Sequence, residues 1–501
     1  MEIRVQNLGP EQWHGDVLLA PACKGESLPQ SCPALDRAAP WLSVAPGLRD
    51  FAGKDGELAL LHGHPELAVP RVLAVGLGSR SQADAACVRR AVASGLRFCR
   101  KKGYASVVLP EVLLAGLCGG RERLLEESVC AALLALHRPA LLKKPDPDEP
   151  AEPQWLAVAF DPADMPRDEQ AAVRRGEHAA WAVNLARDLA AMPANRLSPA
   201  LLAERAQRVA RENGLICTVL DAAELEREGL GCLLAVGQGS ARAPRLIVLE
   251  HAPTGHEEER PMIFVGKGIT FDSGGLCLKP STSMAQMKGD MTGAAVVLAT
   301  LAAVAQEGIG RRVLGLLPCA DNMPGGAAMR PGDVVCAANG DSVEIVNTDA
   351  EGRLALCDAL VYAQKHWNLS ALVDIVTLTG ACAVALGPEL AGLFTDDNSL
   401  AERIRAAGGS AGEEYWPLPL WKPYAKILKS EVADICHTGP REGGAINAAL
   451  FLQHFVREDV RWAHLDIAGV DWTDKAESLT GVGPTGFGVR TLINLAAGGV
   501  E

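Results

Sequence analysis

Two carboxylates and an arginine lie close together in the stretch from Asn347 to Leu354, Asn-Thr-Asp-Ala-Glu-Gly-Arg-Leu. Asp349 and Glu351 are two residues apart, and Arg353 follows two residues later. Alternate side chains of an extended or turning backbone project to the same side, so this spacing directs two anions and a cation into one small space. Neighbouring carboxylates repel each other unless a positive charge lies between them. A lone Asp-x-Glu is usually a solvated surface loop, so its interpretation depends on the rest of the chain.

Further candidate residues lie in a glycine-rich run that begins at Gly266, directly after a predicted strand. This run contains Lys267 and Asp272, and Lys279 follows it. Dense glycines allow a tight turn at the carboxyl end of a strand, where the sites of open α/β sheets lie. Asp290 comes just before an apolar helix. The competing interpretation of this residue is that it caps the helix. These acids and the first pair make four carboxylates, which suit divalent cations and can bridge two ions about 3.5–4 Å apart.

Composition limits the functions that the chain can have. At 501 residues the chain is long enough for two or more domains, and 48% hydrophobic residues can form large cores. The 48 basic and 61 acidic residues give a net charge of −13, which provides no global attraction for nucleic acid or anionic membranes. The 14 cysteines form no C-x-x-C pair, and the N-terminus lacks the features of a signal peptide, so we expect a cytoplasmic protein with reduced thiols.

The order of predicted elements indicates an α/β protein with two domains. Residues 1–165 alternate apolar runs with helical patterns and predict an N-terminal α/β domain. A helix within 166–192 connects it to a larger catalytic domain, which is α/β/α, extends to residue 501 and has a mostly parallel central sheet. Near-continuous apolar runs are typical of strands covered on both faces. The predicted strands of this domain are 245–250, 262–266, 313–317, 371–376 and 463–467.

Two short motif matches carry no function in our interpretation. Gly408 to Gly412 matches the nucleophile pattern G-x-S-x-G, but it follows a charged helical segment instead of a strand. Gly481 to Gly486 matches G-x-G-x-x-G, and no strand precedes it either.

Three stretches of the chain resemble signatures of the leucine aminopeptidase (cytosol aminopeptidase) family. They are 265–275, 287–291 and 347–354, and the similarity continues over 170–495, including 184–189, 377–381 and 464–469. The N-terminal region is similar in size and class only. The resemblance implies a dinuclear metallo-aminopeptidase that removes N-terminal amino acids, with leucine and similar residues preferred.

The resemblance also implies a set of ligands for two divalent ions, Zn²⁺ or Mn²⁺. One ion would be held by Asp272, by the side chain and backbone carbonyl of Asp349, and by Glu351. The second would be held by Lys267, Asp272, Asp290 and Glu351. A lysine amine must be neutral to bind a metal, and neighbouring dications supply the necessary lowering of its pKa.

Two further residues would take part in the reaction if the resemblance holds. Lys279 would polarise the scissile carbonyl and stabilise the oxyanion, while Arg353 would hold a bicarbonate-like anion that acts as general base. The nucleophile would be a water molecule made acidic by the two metals. The free α-amino group of the substrate would bind one metal, which restricts cleavage to the first residue.

The pocket for the first side chain would be lined by positions that match Met287, Thr377, Gly380, Ala468 and Asp471. Asp471 departs from the apolar or small residue that the family pattern leads us to expect. An acid there predicts better acceptance of lysine or arginine at the substrate N-terminus. The competing interpretation is a solvent-facing acid at the rim of the pocket.

The family resemblance implies a homohexamer whose catalytic sites face an inner cavity, with an oligomerisation role for the N-terminal domain; the residues themselves do not indicate six subunits. Peptides are the expected partners, and no membrane partner is expected. An additional DNA-binding role is the alternative, but the cationic cluster from Arg97 to Lys102 is short and the chain is acidic. A two-metal phosphoesterase commonly uses histidine ligands, and this set of residues contains none.

Overall fold

The computed structural model describes residues 1–9, 12–26, 28, 39, 41–42, 45–62, 67–111, 114, 116–139, 142–144, 147–161 and 165–499. The chain divides into two compact units. The first is Met1–Trp181 with Lys475–Val482, and the second is Ala182–Asp474 with Gly483–Glu501. The division falls inside a long helix, Glu169–Ala191. A domain boundary at residue 165 therefore stays a prediction.

Among its described residues, the first unit contains a six-stranded sheet and a pair of helices that pack against each other. Its strands are β1 Glu2–Asn7, β2 Val17–Ala22, β3 Leu58–His62, β4 Arg71–Gly76, β5 Ser106–Pro110 and β6 Trp155–Phe160. The sheet order is β1-β6-β5-β2-β4-β3, and only β3 runs antiparallel to its neighbour. The helices are α1 Ala85–Lys102 and α2 Arg121–Leu136, with short 3₁₀ turns at Pro46–Leu48 and Arg80–Gln82. Apolar side chains of both helices and of the strands form one buried cluster.

The second unit is built on a nine-stranded sheet of order β16-β15-β18-β14-β9-β11-β8-β7, with β10 paired to β11. Its strands are β7 Ile216–Leu220, β8 Arg245–His251, β9 Met262–Gly266, β10 Gly268–Asp272, β11 Val313–Asn322, β14 Ala371–Val376, β15 Leu390–Phe394, β16 Glu414–Pro417 and β18 Trp462–Asp466. Two small sheets contain β12 Val334–Cys336, β13 Ser342–Glu344 and β17 Ile435–Cys436, and β19 Trp472–Thr473 with β20 Gly483–Pro484. The predicted mostly parallel α/β architecture is confirmed, since β18, β14, β9, β11 and β10 are parallel neighbours.

Helices cover both faces of this sheet. With the long helix at the division counted as α3, the helices are α4 Pro199–Asn213, α5 Ala222–Glu228, α6 Gly231–Gly237, α7 Ser281–Met284, α8 Thr292–Gln306, α9 Glu351–His366, α10 Gly380–Leu386, α11 Asn398–Ala411, α12 Gly444–His454 and α13 Val489–Gly498, with 3₁₀ turns at Met287–Gly289 and Lys422–Leu428. Leu314 and Leu316 of β11 share a cluster with α9. Gly315 faces the other way, where a Cβ atom would lie 2.7 Å from Val297 of α8. Because side chains alternate along a strand, α8 and α9 lie on opposite faces.

No helix among the described residues is long and apolar enough to cross a membrane.

Candidate metal centre

The carboxyl ends of the central strands bring the candidate residues to one edge of the sheet. Lys267 follows β9, and Asp272 is the last residue of β10. Asp290 lies between a 3₁₀ turn and α8, while Glu351 is the first residue of α9. This is the edge at which open α/β sheets bind ligands, as the sequence predicts.

Two lysine ammonium groups each bridge a pair of carboxylates. The Nζ atom of Lys267 lies 2.8 Å from Asp290 Oδ2 and 2.9 Å from Glu351 Oε1. The Nζ atom of Lys279 lies 2.8 Å from Asp272 Oδ2 and 2.6 Å from Asp349 Oδ1. The four acids therefore surround two positions that hold positive charge.

Glycines make these approaches sterically allowed. A Cβ atom on Gly352 would lie 2.6 Å from Cε and 2.7 Å from Nζ of Lys267, so the residue after Glu351 must be very small. Gly274 has a φ of +86°, and a Cβ atom there would lie 2.8 Å from Asp349 Oδ1. The glycines of the two motifs thus have a direct steric role beside the carboxylates.

Burial makes it unfavourable for all the carboxylates of the cluster to be ionised at once. Asp272, Asp290 and Glu351 are 2%, 8% and 1% exposed. Burial, with repulsion from neighbouring acids, raises the pKa of Asp290 to about 6 and that of Glu351 to about 8. Burial alone would lower the pKa of Lys267, but the surrounding carboxylates outweigh it and raise that pKa. The cluster is stable in ionised form only with positive charge inside it.

The donor set fits divalent cations. Oxygen atoms of Asp272, Asp290 and Glu351 all lie within 4.8 Å of one another. Glu351 Oε2 is buried without a hydrogen-bond partner among the described residues, and Asp290 Oδ2 meets Lys267 outside hydrogen-bonding geometry. Buried carboxylate oxygens with unused lone pairs are suitable ligands for Mn²⁺ or Zn²⁺.

Hydrogen bonds orient the carboxylates from outside the cluster. Asp272 Oδ1 accepts from the Gly274 N–H and from Asn322 Nδ2, each at 2.8 Å. Asn322 Nδ2 also donates to the Thr348 carbonyl at 2.9 Å. Thr377 donates through its hydroxyl to Asp290 Oδ1 at 2.8 Å. Outer contacts of this kind fix the direction in which a ligand atom points.

Arg353 is buried beside this cluster with unused donor capacity. Its Nη1 atom donates to the His437 carbonyl at 3.1 Å, whereas its Nε atom has no hydrogen-bond partner among the described residues. Burial lowers the pKa of this guanidinium to about 10, which still leaves it charged at neutral pH. A buried cation with a free N–H group is suited to holding an anion.

One cavity of about 390 Å³ contains the predicted pocket. Every predicted site residue except Arg353 lines it, including Met287, Gly380 and Ala468. Asp471 lines the cavity as well, and burial, followed by repulsion from Asp290, raises its pKa to about 8. The side chain is half-buried by surface area, so it is a wall residue and not a fully exposed rim residue.

Sequence reasoning missed the residues that support the site from outside. Asn322, Thr348, His437 and Asp466 are buried and bind the loops that carry the acids or line the cavity. His437 is distant in sequence from the loops it contacts and lies in no recognised motif. Asp466 belongs to a stretch that the family resemblance includes, but no local pattern separates it from its apolar neighbours.

The structure does not support the G-x-S-x-G match or the cationic cluster as a functional site. Ser410 of the G-x-S-x-G match lies within α11 instead of at a strand-to-helix turn. The cationic cluster at the end of α1 is interrupted by the buried Cys99, and Arg100 donates to the carbonyl of Leu136. Arg100 of this cluster is therefore engaged within the protein.

Comparison with known proteins identifies the type of enzyme. Residues 184–493 match the model of the cytosol aminopeptidase family, catalytic domain, and residues 21–144 match its N-terminal domain. A probable cytosol aminopeptidase of Desulfovibrio desulfuricans is 70% identical over 500 residues, covering 100% of both chains.

Two solved structures are also similar. The bottromycin maturation enzyme BotP in complex with Mn is 38% identical, with a TM-score of 0.84 over 97% of this chain and 100% of that one. A lysine-to-glutamate mutant of tomato leucine aminopeptidase is 30% identical, with a TM-score of 0.86 over 100% of this chain and 97% of that one. These similarities leave no support for a phosphoesterase or a DNA-binding role. With its buried carboxylates and the match over both units, the chain belongs to the cytosol aminopeptidase family and is a hydrolase of the metallo-exopeptidase class.

Proposed function

We propose that this protein removes N-terminal amino acids from peptides with two divalent ions, Mn²⁺ or Zn²⁺, and prefers leucine and similar residues. The observation that carries the proposal is the pair of cation positions among four carboxylates in one cavity. Bound ions would supply Lewis acidity and lower the pKa of a shared water molecule enough for attack on a peptide carbonyl.

The ligands that we propose are those that the family resemblance implies, and the proximity of the four acids supports them. Asp272, the side chain and carbonyl of Asp349, and Glu351 would hold one ion. Lys267, Asp272, Asp290 and Glu351 would hold the other. Asp272 and Glu351 would serve both ions, which is supported by their oxygens lying within 4.8 Å of those of Asp290. Lys267 would donate a lone pair after losing a proton, because a dication replaces the charge that its ammonium supplies.

Lys279 would act on the substrate carbonyl. Burial lowers its pKa, but Asp272 and the neighbouring acids outweigh burial and raise it, so the amine stays a proton donor at neutral pH. Its side chain lines the cavity and is 17% exposed. A fixed ammonium beside the reacting carbonyl would stabilise the negative charge that develops on oxygen.

Arg353 would hold a bicarbonate-like anion that accepts a proton during the reaction. Its free Nε–H group and its charge support this role.

Met287, Thr377, Gly380, Ala468 and Asp471 would form the pocket for the first side chain, since all of them line the same cavity as the acids. Small residues leave room for an apolar side chain. Asp471 would extend the accepted set to lysine and arginine, because a half-buried carboxylate attracts a cation.

We further propose a cytoplasmic homohexamer, with residues 1–165 contributing to assembly and 166–501 carrying catalysis. The names of the similar proteins support the compartment. Sedimentation of the purified protein tests the assembly, and a stable monomer would contradict it.

Hydrolysis of a leucine chromogenic amide tests the proposed activity. The metal-free protein should gain turnover with Mn²⁺ or Zn²⁺ and lose it with a chelator. Asp341→Asn, which changes a surface acid, is the matched control and should behave as wild type. A folded protein without metal-dependent turnover would refute the proposal.

A further inference from the structure

Asp466 is a buried carboxylate that our proposed function does not use. It is the last residue of β18 and only 1% exposed. It holds no metal in our assignment. Its two oxygen atoms nevertheless bind two separate loops, both of which line the cavity.

The hydrogen bonds of Asp466 divide between those loops. Oδ1 accepts from the Leu378 N–H at 3.3 Å on one side and from the Ala468 N–H at 3.2 Å on the other. Oδ2 accepts from the Thr379 hydroxyl at 2.7 Å. One carboxylate therefore connects the loop after β14 to the loop after β18.

Thr379 connects Asp466 to the start of α10. Its hydroxyl oxygen accepts from the Cys382 N–H at 3.1 Å and so caps the helix that begins at Gly380. The same hydroxyl donates its proton to Asp466. Fixing the hydroxyl thus fixes both the loop and the start of α10, where Gly380 faces the cavity.

A second buried pair lies behind Asp466 on the same strands. His464 Nδ1 is 2.5 Å from Asp374 Oδ1, and Trp462 Nε1 donates to Asp374 Oδ2 at 2.8 Å. The His464 ring stacks on Phe394 at 5.5 Å. Burial raises the pKa of Asp466, and the charge of His464, which is held by Asp374, partly offsets this shift. The ionised form of Asp466 accepts every one of its hydrogen bonds to the two loops.

We infer that Asp466 is a positioning residue that sets the width of the pocket for the first side chain, and through it the selectivity among apolar N-terminal residues. The inference rests on the proposed aminopeptidase function. Asp466 acts through Thr379 and the backbone of both loops, without touching the substrate.

Thr379→Val removes the hydroxyl that connects Asp466 to α10, while Thr379→Ser keeps it. With leucine amide, the valine variant should raise KM about tenfold and leave kcat within about twofold, because the two hydrogen bonds of the hydroxyl are lost outside the reacting atoms. An alanine amide should change less than about twofold, since a methyl group needs little support from the walls. The serine variant should restore wild-type values. Asp466→Asn should shift KM in the same direction.

Thr395→Val is the matched control, because the Thr395 hydroxyl makes equivalent bonds to Trp462 and Asp397. It should leave both amides unchanged. Equal losses for leucine and alanine amides, or a fall in kcat alone, would overturn the inference.

Amide hydrogen exchange separates this inference from the proposed function. If the wild-type protein hydrolyses neither amide substrate, the proposed function is refuted, and the hydrogen-exchange rates still test the positioning role of Asp466. Thr379→Val should speed exchange across 378–386 by about tenfold, and Thr395→Val should not. Unchanged exchange in that segment would overturn the inference with or without enzymatic activity.

Discussion

The Nε2 atom of His437 lies 2.8 Å from the backbone carbonyl oxygen of Asn347. A carbonyl only accepts, so the neutral tautomer with its hydrogen on Nε2 donates to Asn347. The Nδ1 atom of that tautomer accepts from the Val346 N–H at 3.2 Å and also lies 3.0 Å from the Glu344 carbonyl oxygen. Burial, and then the charge of Arg353, lowers the pKa of His437 to about 4, which keeps the imidazole neutral and preserves this arrangement. His437 therefore holds the backbone just before Asp349.

Replacing His437 should loosen the acid loop without removing a ligand. His437→Ala should lower kcat/KM for leucine amide roughly 10–100-fold, as is usual when a residue that orients a metal ligand is removed. His437→Gln can still donate to Asn347 and should lose less. His454→Ala, which breaks a surface pair with Asp341, should stay within about twofold. Steady-state kinetics with titrated metal measures the effect, and equal activity of the alanine variant and wild type would contradict it.

The lowered pKa of His437 also predicts a pH dependence of stability. The folded protein favours the neutral form of His437. The contribution of His437 to the free energy of unfolding is therefore complete above the unfolded pKa of about 6.5 and is lost as pH falls through about 4. The loss is on the order of 3 kcal/mol. The melting temperature of wild type should exceed that of His437→Gln most at pH 7.5, and the difference should narrow by pH 4.5. A difference in melting temperature that widens on acidification would contradict this prediction.

The interior of the fold was predictable because buried strands have a strong signal. Met262–Gly266 is apolar throughout, Ala371–Val376 is apolar except for the buried Asp374, and both are strands with the predicted bounds. β7 was missed because it lies at the sheet edge, where Ile216 is 59% exposed and no continuous apolar run is required.

The acids of the site were also predictable, because each lies in a short motif beside glycine. Asp466 and His437 were not, since their partners, apart from Ala468, are 84 to 93 residues away in the chain. Only the pairing of β14 with β18, and of β13 with β17, brings those partners near. Support of this kind depends on topology, which local sequence does not encode.

Substitutions of the proposed metal ligands and of Arg353 should differ in their effects on metal content. Asp349→Ala and Glu351→Ala should lower kcat by roughly a thousandfold and lose metal, since each removes a carboxylate of the cluster. Arg353→Ala should lower kcat roughly a hundredfold with metal retained, because it removes only the holder of a proton acceptor. Metal content after dialysis, measured by mass spectrometry beside kcat, distinguishes the two. Equal metal loss in all three variants would show that the division of roles is wrong.

Asp471 should affect cationic substrates more than apolar ones. Burial raises its pKa to about 8, so a cationic side chain beside it would stabilise the ionised form while an apolar one favours the neutral form. Asp471→Ala should lower kcat/KM for lysine and arginine amides about tenfold and raise it for leucine and methionine amides. Asp341→Asn is the control, because that acid lies outside the cavity lining and pairs with His454. No gain for apolar substrates would count against this role.

Gly352→Ala should weaken both stability and activity. The new Cβ atom would lie 2.6 Å from Lys267 Cε, so the flexible lysine end must move away from Asp290 and Glu351. The helix itself should gain about 0.5–1 kcal/mol, because alanine loses less conformational freedom than glycine. The loss of positive charge among the buried carboxylates outweighs this gain, so we expect a lower melting temperature together with weaker metal binding and a roughly hundredfold lower kcat. Gly409→Ala in α11, where nothing lies within 4 Å, should gain stability with normal activity and metal binding. If Gly352→Ala also keeps full activity, the close approach of Lys267 is unnecessary for catalysis.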